Sequence, residues 1–257
     1  MKNVIILGSG RSGTSMVAGT LAQAKYFMGE RLLPANKANP KGFFEDIEVN
    51  AINEDILANV APRRPKILGD IFFRHIPLPY QRWLLALSED KSPYSTPAID
   101  SRIKNILSNQ PFCLKDPRFS YTLPCWMPFL ENTVFIVVFR EPMATAKSVN
   151  QECQDDSRLH SLAMSESRAL KVWECMYRNI LAMSSEGGQE WLFVHYDQVL
   201  TENGGQFIAE HTGASIDLSF PEKRFKRSIA TESPPLAAKE IYVKLCERAG
   251  FNTGTSI

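Results

Sequence analysis

A glycine-rich stretch near the start of the sequence, Gly8 to Ser15, has the residue types of a phosphate-binding turn. It follows a short apolar run, Val4 to Leu7, and precedes apolar residues at helical spacing from Met16 to Ala24. This order predicts a buried strand, a turn and a helix. Glycines let the backbone N–H groups of such a turn approach an anion, and the helix N-terminus adds partial positive charge. The stretch is therefore predicted to bind phosphate.

Two common nucleotide-binding loops fit this stretch incompletely. Gly8 and Gly13 have the spacing of the triphosphatase loop G-x-x-x-x-G-K-[ST], but Thr14 stands in place of its lysine. Together with Gly10, the two glycines also match the dinucleotide fingerprint G-x-G-x-x-G. That fingerprint requires a carboxylate about twenty residues later at the end of a second strand. Glu30 lies in no clear strand, so neither loop type is indicated.

A second anion-binding pair is predicted in the middle of the chain. Val134 to Phe139 is a continuous apolar run that predicts a buried strand, and Arg140 follows it directly. Pro142 suits the first position of a helix, on which Ser148 would lie further along. A guanidinium and a hydroxyl so placed could contact one phosphate. Taken singly, Arg140 is as consistent with a surface ion pair, and Ser148 with an ordinary helical position.

The two motifs, in this order, resemble those of PAPS-dependent sulfotransferases, particularly the bacterial carbohydrate or small-molecule members and the tyrosylprotein members. Arg11-Ser12-Gly13-Thr14 resembles the loop that wraps the 5′-phosphosulfate of PAPS (3′-phosphoadenosine 5′-phosphosulfate). The Arg140 and Ser148 pair resembles the 3′-phosphate signature. Arg11 departs from the pattern, because many members have lysine there. The resemblance implies PAPS as donor, PAP as product, and a set of cofactor-binding residues: Gly10, Arg11, Ser12, Gly13, Thr14, Ser15, Arg140, Ser148 and Tyr196.

Two cations are candidates for stabilising charge on the leaving phosphate. Arg11 would act at the 5′ end of the donor. Lys115 ends a predicted strand beginning at Phe112, and strand ends lie at the ligand-binding edge of a parallel sheet. Lys115-Asp116-Pro117 resembles the Lys-Asp-Pro of tyrosylprotein sulfotransferases, which implies a catalytic role for Lys115. The alternative is a solvated charge at a strand end.

The general base is less well defined by the sequence. Gly42-Phe43-Phe44-Glu45 resembles the Gly-aromatic-aromatic-Glu run of many bacterial members, which implies Glu45 as the base. Asp46 is the competing candidate, since either carboxylate could instead cap the following helix. The histidine of the Lys-Thr-His that cytosolic sulfotransferases carry is absent here, where the chain has Lys115-Asp116-Pro117. Asp116 is a third candidate.

Three further features are interpreted by resemblance or by exclusion. Tyr196 follows a predicted strand and resembles the family's tyrosine that contacts adenine, although a core tyrosine fits equally well. The basic cluster Lys223–Ser228 could close over the 3′-phosphate or could be a solvated charge run. The four histidines and the cysteines share no ligand spacing, so no metal site is predicted.

The elements that must position these residues alternate between strand and helix along the chain. This predicts an α/β fold of the P-loop type, in which helices cover both faces of a central, mostly parallel sheet in three layers. The length of 257 residues fits a single sulfotransferase-like domain over 1–257. A proline-rich segment at about 58–109 is predicted to be a helical insertion on the acceptor side.

Composition narrows the class of protein. A formal net charge of +1 gives no overall attraction to nucleic acid, and no apolar run reaches the length of a membrane span. Five scattered cysteines predict reduced thiols and a cytoplasmic location.

The resemblance implies sulfuryl transfer to a hydroxyl of a carbohydrate, lipid or small molecule. The alternatives are a magnesium-dependent P-loop kinase and an inactive nucleotide-binding protein. Acceptor identity and oligomeric state stay open.

Overall fold

The computed structural model describes residues 1–222, 228–229 and 232–252. Four parallel strands form its central sheet in the order β2-β1-β3-β4. Their bounds are β1 Asn3–Leu7, β2 Cys113–Lys115, β3 Thr133–Phe139 and β4 Glu190–His195. Pairing of Ile6 with Lys115 on one side and with Ile136 on the other brings the ends of β1, β2 and β3 to one edge.

The helices connect these strands as parallel crossovers. In chain order they are α1 Thr14–Leu21, α2 Ile47–Ala58, α3 Gly69–Phe72, α4 Pro97–Leu107, α5 Phe119–Trp126, α6 Pro142–Asp155, α7 Glu166–Met183, α8 Tyr196–Val199, α9 Glu202–Thr212 and α10 Leu236–Arg248. Short 3₁₀ turns occupy Arg82–Leu84, Met127–Phe129 and Ser157–Leu159.

Alternate side chains of the strands support two separate apolar cores. Ile5 and Phe135 face a core built with α2, α4, α5, α6, α7 and α10. Val4 and Ile136 face the opposite core, which α1 and α9 complete. Because helices cover both faces of a parallel sheet, the predicted three-layer α/β fold is confirmed.

The last and middle parts of the segment 58–109 differ in structure. Its last part, α4, buries Ile99 and Ile103 in the core that also holds Ile5. Its middle part has little regular structure: a helix expected over Tyr80 to Leu87 is only the 3₁₀ turn Arg82–Leu84. Tyr80 has a left-handed backbone with φ 67°, and Leu85 is extended with ψ 129°, so the helical conformation is interrupted on both sides of this turn.

Candidate functional site

A cleft of about 850 Å³ lies at the carboxyl edge of the sheet. Residues from distant parts of the chain reach it, because β1, β2, β3 and β4 all end there. The predicted site residues that line it are Gly10, Arg11, Gly13, Thr14, Ser15, Glu45, Lys115, Arg140, Ser148 and Tyr196. The structure therefore brings together both anion motifs and the candidate catalytic pair.

The turn between β1 and α1 depends on its glycines. Gly8 has φ 138°, and a Cβ atom there would lie 2.2 Å from the carbonyl oxygen of Val138. Gly13 has φ 97°, and its added Cβ would lie 2.6 Å from the Tyr196 ring. Such contacts are too short for any side chain. The glycines thus let the turn fit closely between β3 and the start of α8.

Tyr177 of α7 anchors this turn. It was not among the predicted site residues. Its buried hydroxyl lies 2.7 Å from the Val138 carbonyl oxygen, 2.9 Å from Ser12 Oγ and 3.1 Å from the Ser9 amide nitrogen. Burial raises the pKa of Tyr177 well above its ordinary value, so the hydroxyl keeps its proton. Ser12 is fully buried on this hydroxyl. Of the predicted cofactor-binding residues, Ser12 is therefore the one whose side chain turns away from the cleft.

Replacing Tyr177 with phenylalanine is expected to lower the free energy of unfolding by about 1–3 kcal/mol, because three buried polar groups lose one shared partner. Urea unfolding measures this loss. Tyr26→Phe is a matched control, since the Tyr26 hydroxyl donates to the carbonyl oxygen of Lys2, at 2.9 Å, rather than to the glycine-rich turn. Equal losses in the two variants would show that Tyr177 does not anchor the turn.

Lys115 and Glu45 form a buried ion pair beside the turn. Lys115 Nζ donates to Glu45 Oε1 at 2.5 Å and to Ser15 Oγ at 3.2 Å, and its side chain is 1% exposed. The other oxygen of Glu45 accepts from Asn50 Nδ2 at 3.0 Å. Lys115 is therefore not a solvated strand-end charge. It touches both the first helical turn of α1 and a carboxylate in the cleft.

The two competing carboxylates have structural partners and do not themselves line the cleft. Asp46 caps α2: Oδ1 accepts from the backbone N–H groups of Glu48 and Val49, and Oδ2 from that of Arg31. Asp116 is fully buried and accepts from Asn53 Nδ2 and from Arg118. Of the three carboxylates considered as a base, Glu45 is the one that lines the cleft.

Arg11 joins the two anion motifs directly. Its Nε donates to Ser148 Oγ at 3.3 Å, and its Nη2 donates to the carbonyl oxygen of Ala38 at 3.2 Å. The same Nε lies 3.4 Å from Oε2 of Glu152, a buried residue of α6 that also lines the cleft. Burial raises the pKa of Glu152, whereas the charge of Arg11 lowers it. Glu152 was not among the predicted site residues.

Arg140 projects into the cleft from the end of β3, as predicted, and Pro142 is the first residue of α6. The guanidinium lies 4.8 Å from the centre of the Tyr196 ring and donates to the Ser228 carbonyl oxygen. Tyr196 packs against both Arg140 and Gly13. It therefore supports the two anion motifs from one side.

A buried ion network continues from Lys115 toward the segment 58–109. Arg118 Nε donates to Glu54 Oε1 at 2.8 Å, and its Nη1 donates to Asp116 Oδ1 at 3.0 Å. Arg82 donates to the second oxygen of Glu54 at 2.8 Å. This network fixes the turn that carries Trp83, whose ring packs on Gly10. Sequence reasoning did not identify Arg118 because its partner Glu54 lies in α2, 64 residues earlier in the chain.

His195 does not line the cleft. His195 accepts from the Asp197 amide and stacks on Phe251 at 3.8 Å, which is a structural role. Across the described ranges, no group of three or more His, Cys, Asp or Glu residues could hold a metal ion. Lys223 to Arg227 of the basic cluster lie outside the described residues. No helix in the described part of the chain is long and apolar enough to cross a bilayer.

A family model matches the sequence, and solved structures are similar to the chain in fold. A model of the sulfotransferase family matches residues 3–211. The sulfotransferase domain of the Synechococcus PCC 7002 olefin synthase is similar in structure, with a TM-score of 0.51, 15% identity, and coverage of 98% of this chain and 97% of that one. The sulfotransferase domain of the curacin biosynthetic pathway has a TM-score of 0.54, 15% identity and 98% coverage of both chains. No curated protein matches the sequence.

Proposed function

Because the chain belongs to the sulfotransferase family, we propose that it transfers a sulfuryl group from PAPS to a hydroxyl of a carbohydrate, lipid or other small-molecule acceptor. The observation that carries this proposal is the contact between the glycine-rich turn and the Lys115–Glu45 pair, through Ser15. An anion-binding turn, a cation and a carboxylate are thus within reach of one another. These are the groups that in-line group transfer requires.

The residues of the cleft fit the proposed donor. The described side chains that line it include the cations Arg11, Lys115 and Arg140, in addition to the N–H groups at the start of α1. Gly13 leaves no room for a side chain beside Tyr196, which keeps the backbone accessible to an anion. PAPS supplies the activated sulfuryl group when bound. Arg140 and Ser148 would hold its 3′-phosphate, and Gly10 to Ser15 its 5′ end.

Two side chains would perform the chemical step. Glu45 accepts the proton of the acceptor hydroxyl as that oxygen bonds to sulfur. Lys115 neutralises the negative charge that collects on the phosphate oxygen as its bond to sulfur breaks. The hydrogen bond from Lys115 also holds the Glu45 carboxylate in position. Arg11 supports the 5′-phosphate during this step.

The segment 58–109 is proposed to shape the acceptor side. The residues of this segment that line the cleft are Leu78, Pro79, Tyr80, Gln81 and Trp83, whereas Phe72 and Phe73 do not line it. We propose that the chain works as one sulfotransferase domain, with this segment as its acceptor-side wall. Aromatic rings there suit the faces of sugars and apolar chains alike.

Titration calorimetry with PAP tests the donor. The wild type is expected to bind PAP without added metal, and Arg140→Ala is expected to weaken binding about thirtyfold, because a charge-assisted contact with phosphate is lost. Arg102→Ala is a suitable control, since Arg102 lies on the surface with Glu48 and Asp55. Binding of ATP with magnesium and none of PAP would contradict the proposal and favour a P-loop kinase.

A further inference from the structure

A cluster of exposed apolar side chains surrounds the short helix α3. It comprises Ile67, Leu68, Ile71, Phe72 and Phe73, called here the apolar patch. The exposed fractions are 82% for Ile67, 67% for Ile71 and 68% for Phe72. Single exposed apolar residues are common on protein surfaces, but a contiguous group of this size marks a contact surface.

The apolar patch is held firmly on the body of the protein. The side chain of Arg64 is buried beneath it and donates to Asp70 Oδ1 at 3.0 Å. The same guanidinium donates to the carbonyl oxygens of Ile76 and Ser161, at 3.1 and 3.2 Å. Because these bonds fix both ends of the segment, the apolar side chains are presented from a defined platform.

Positive charge borders the apolar patch on both sides in sequence. Arg63 and Lys66 precede it, Arg74 follows it, and all three are exposed. The acidic residue within the segment 62–75 is Asp70, and Arg64 neutralises it. Apolar and aromatic side chains flanked by lysine and arginine are typical of segments that lie in the interface of an anionic bilayer.

The apolar patch adjoins the mouth of the cleft. Arg64 and Arg74 bind the carbonyl oxygens of Ser161 and His160, and Ser161 belongs to the cleft lining. The chain leaving the segment passes directly into Leu78 to Tyr80, which also line the cleft, and Tyr80 is exposed. A surface that contacted the apolar patch would therefore face the entrance used by an acceptor.

We propose that the apolar patch docks the protein on an anionic bilayer. Ile71 and Phe72 enter the boundary between headgroups and acyl chains, while Arg63, Lys66 and Arg74 contact the anionic headgroups. Docked in this way, the cleft opens toward the bilayer surface. The acceptor is then an amphiphile whose hydroxyl is presented at that surface. This last step rests on the proposed function, whereas the docking itself does not.

Sedimentation with vesicles tests the docking. The full chain is expected to bind vesicles of phosphatidylglycerol and phosphatidylcholine, and to bind pure phosphatidylcholine much less. Ile71→Ser with Phe72→Ser should weaken binding about tenfold or more per side chain, because apolar area no longer leaves water. Lys66→Ser should weaken binding to anionic vesicles about fivefold. Leu236→Ser is the control, since Leu236 is 72% exposed at the start of α10.

Three results would overturn the inference. Binding that is equally strong in all variants, or absent in the wild type, shows that the apolar patch is not a membrane surface. Concentration-dependent self-association that the double variant abolishes would instead assign the patch to contact with a second copy of the chain. PAP titration of the same samples separates the two proposals. Retained PAP binding without vesicle binding rejects only the docking, and the reverse rejects only the donor.

Discussion

Replacing Lys115 with methionine is expected to slow the release of PAP from PAPS by about a thousandfold, since a preorganised charge at the reacting centre is removed. PAP affinity should change by about tenfold at most, because Arg11 and Arg140 still line the cleft. The release can be followed with water as the acceptor until a better one is found. A large loss of turnover with nearly unchanged affinity is the result expected of a residue that acts in the transition state.

Two further variants separate chemistry from folding in this experiment. Lys115→Met leaves Glu45 buried without its cation, so the variant also carrying Glu45→Gln removes both charges and should recover stability but not turnover. Lys2→Met is a control, because Lys2 pairs with Glu190 at 2.6 Å on the partly exposed surface. Turnover of Lys115→Met within tenfold of the wild type would reject Lys115 as a catalytic residue.

Arg118→Met is expected to lower the free energy of unfolding by about 3–5 kcal/mol, the cost of removing one member of a buried ion network. The substitution leaves Asp116 without a cation, and Glu54 keeps only Arg82. Burial already raises the pKa of Asp116. Without Arg118 the protonated carboxyl is favoured further in the folded state, so the loss of stability should be smaller at acidic pH.

Urea unfolding of Arg118→Met beside Arg102→Met measures this effect. Arg102 also contacts two carboxylates, at 2.7 Å for Glu48 and 2.6 Å for Asp55, but the three side chains are partly exposed. Surface pairs of this kind contribute about 0–1 kcal/mol. Similar losses in the two variants would show that burial of the Arg118 network does not determine its contribution.

Local sequence pattern predicted most of the framework correctly. The apolar runs before Gly8 and Arg140 form β1 and β3, and Pro142 starts α6. Because parallel strands place their carboxyl ends at one edge, Lys115 could be assigned to the same cleft from sequence alone. These inferences needed only short-range information about burial and turns.

The missed features depend on contacts between distant residues. In the sequence, Tyr177 is one of the apolar positions of α7. Its hydroxyl nevertheless binds Ser12 in the turn between β1 and α1, 165 residues earlier. Asp46 and Glu45 are adjacent, and only the direction of the chain at α2 decides that Asp46 caps the helix while Glu45 reaches Lys115. Ser12 likewise belongs to the motif but turns toward Tyr177. Side-chain direction in a turn is set by packing and cannot be read from spacing.

The contact between Arg11 and Glu152 would couple binding of the proposed donor to protonation of Glu152. Glu152 lies buried with Arg11 as its neighbouring cation, and that charge opposes the rise in pKa that burial causes. If a donor phosphate draws the guanidinium of Arg11 toward itself, the positive charge moves away from the Glu152 carboxylate. The pKa of Glu152 is then expected to rise further, which favours its protonated form when the donor is bound. Affinity for the proposed donor is accordingly expected to increase as the pH falls, through a side chain that need not touch the donor.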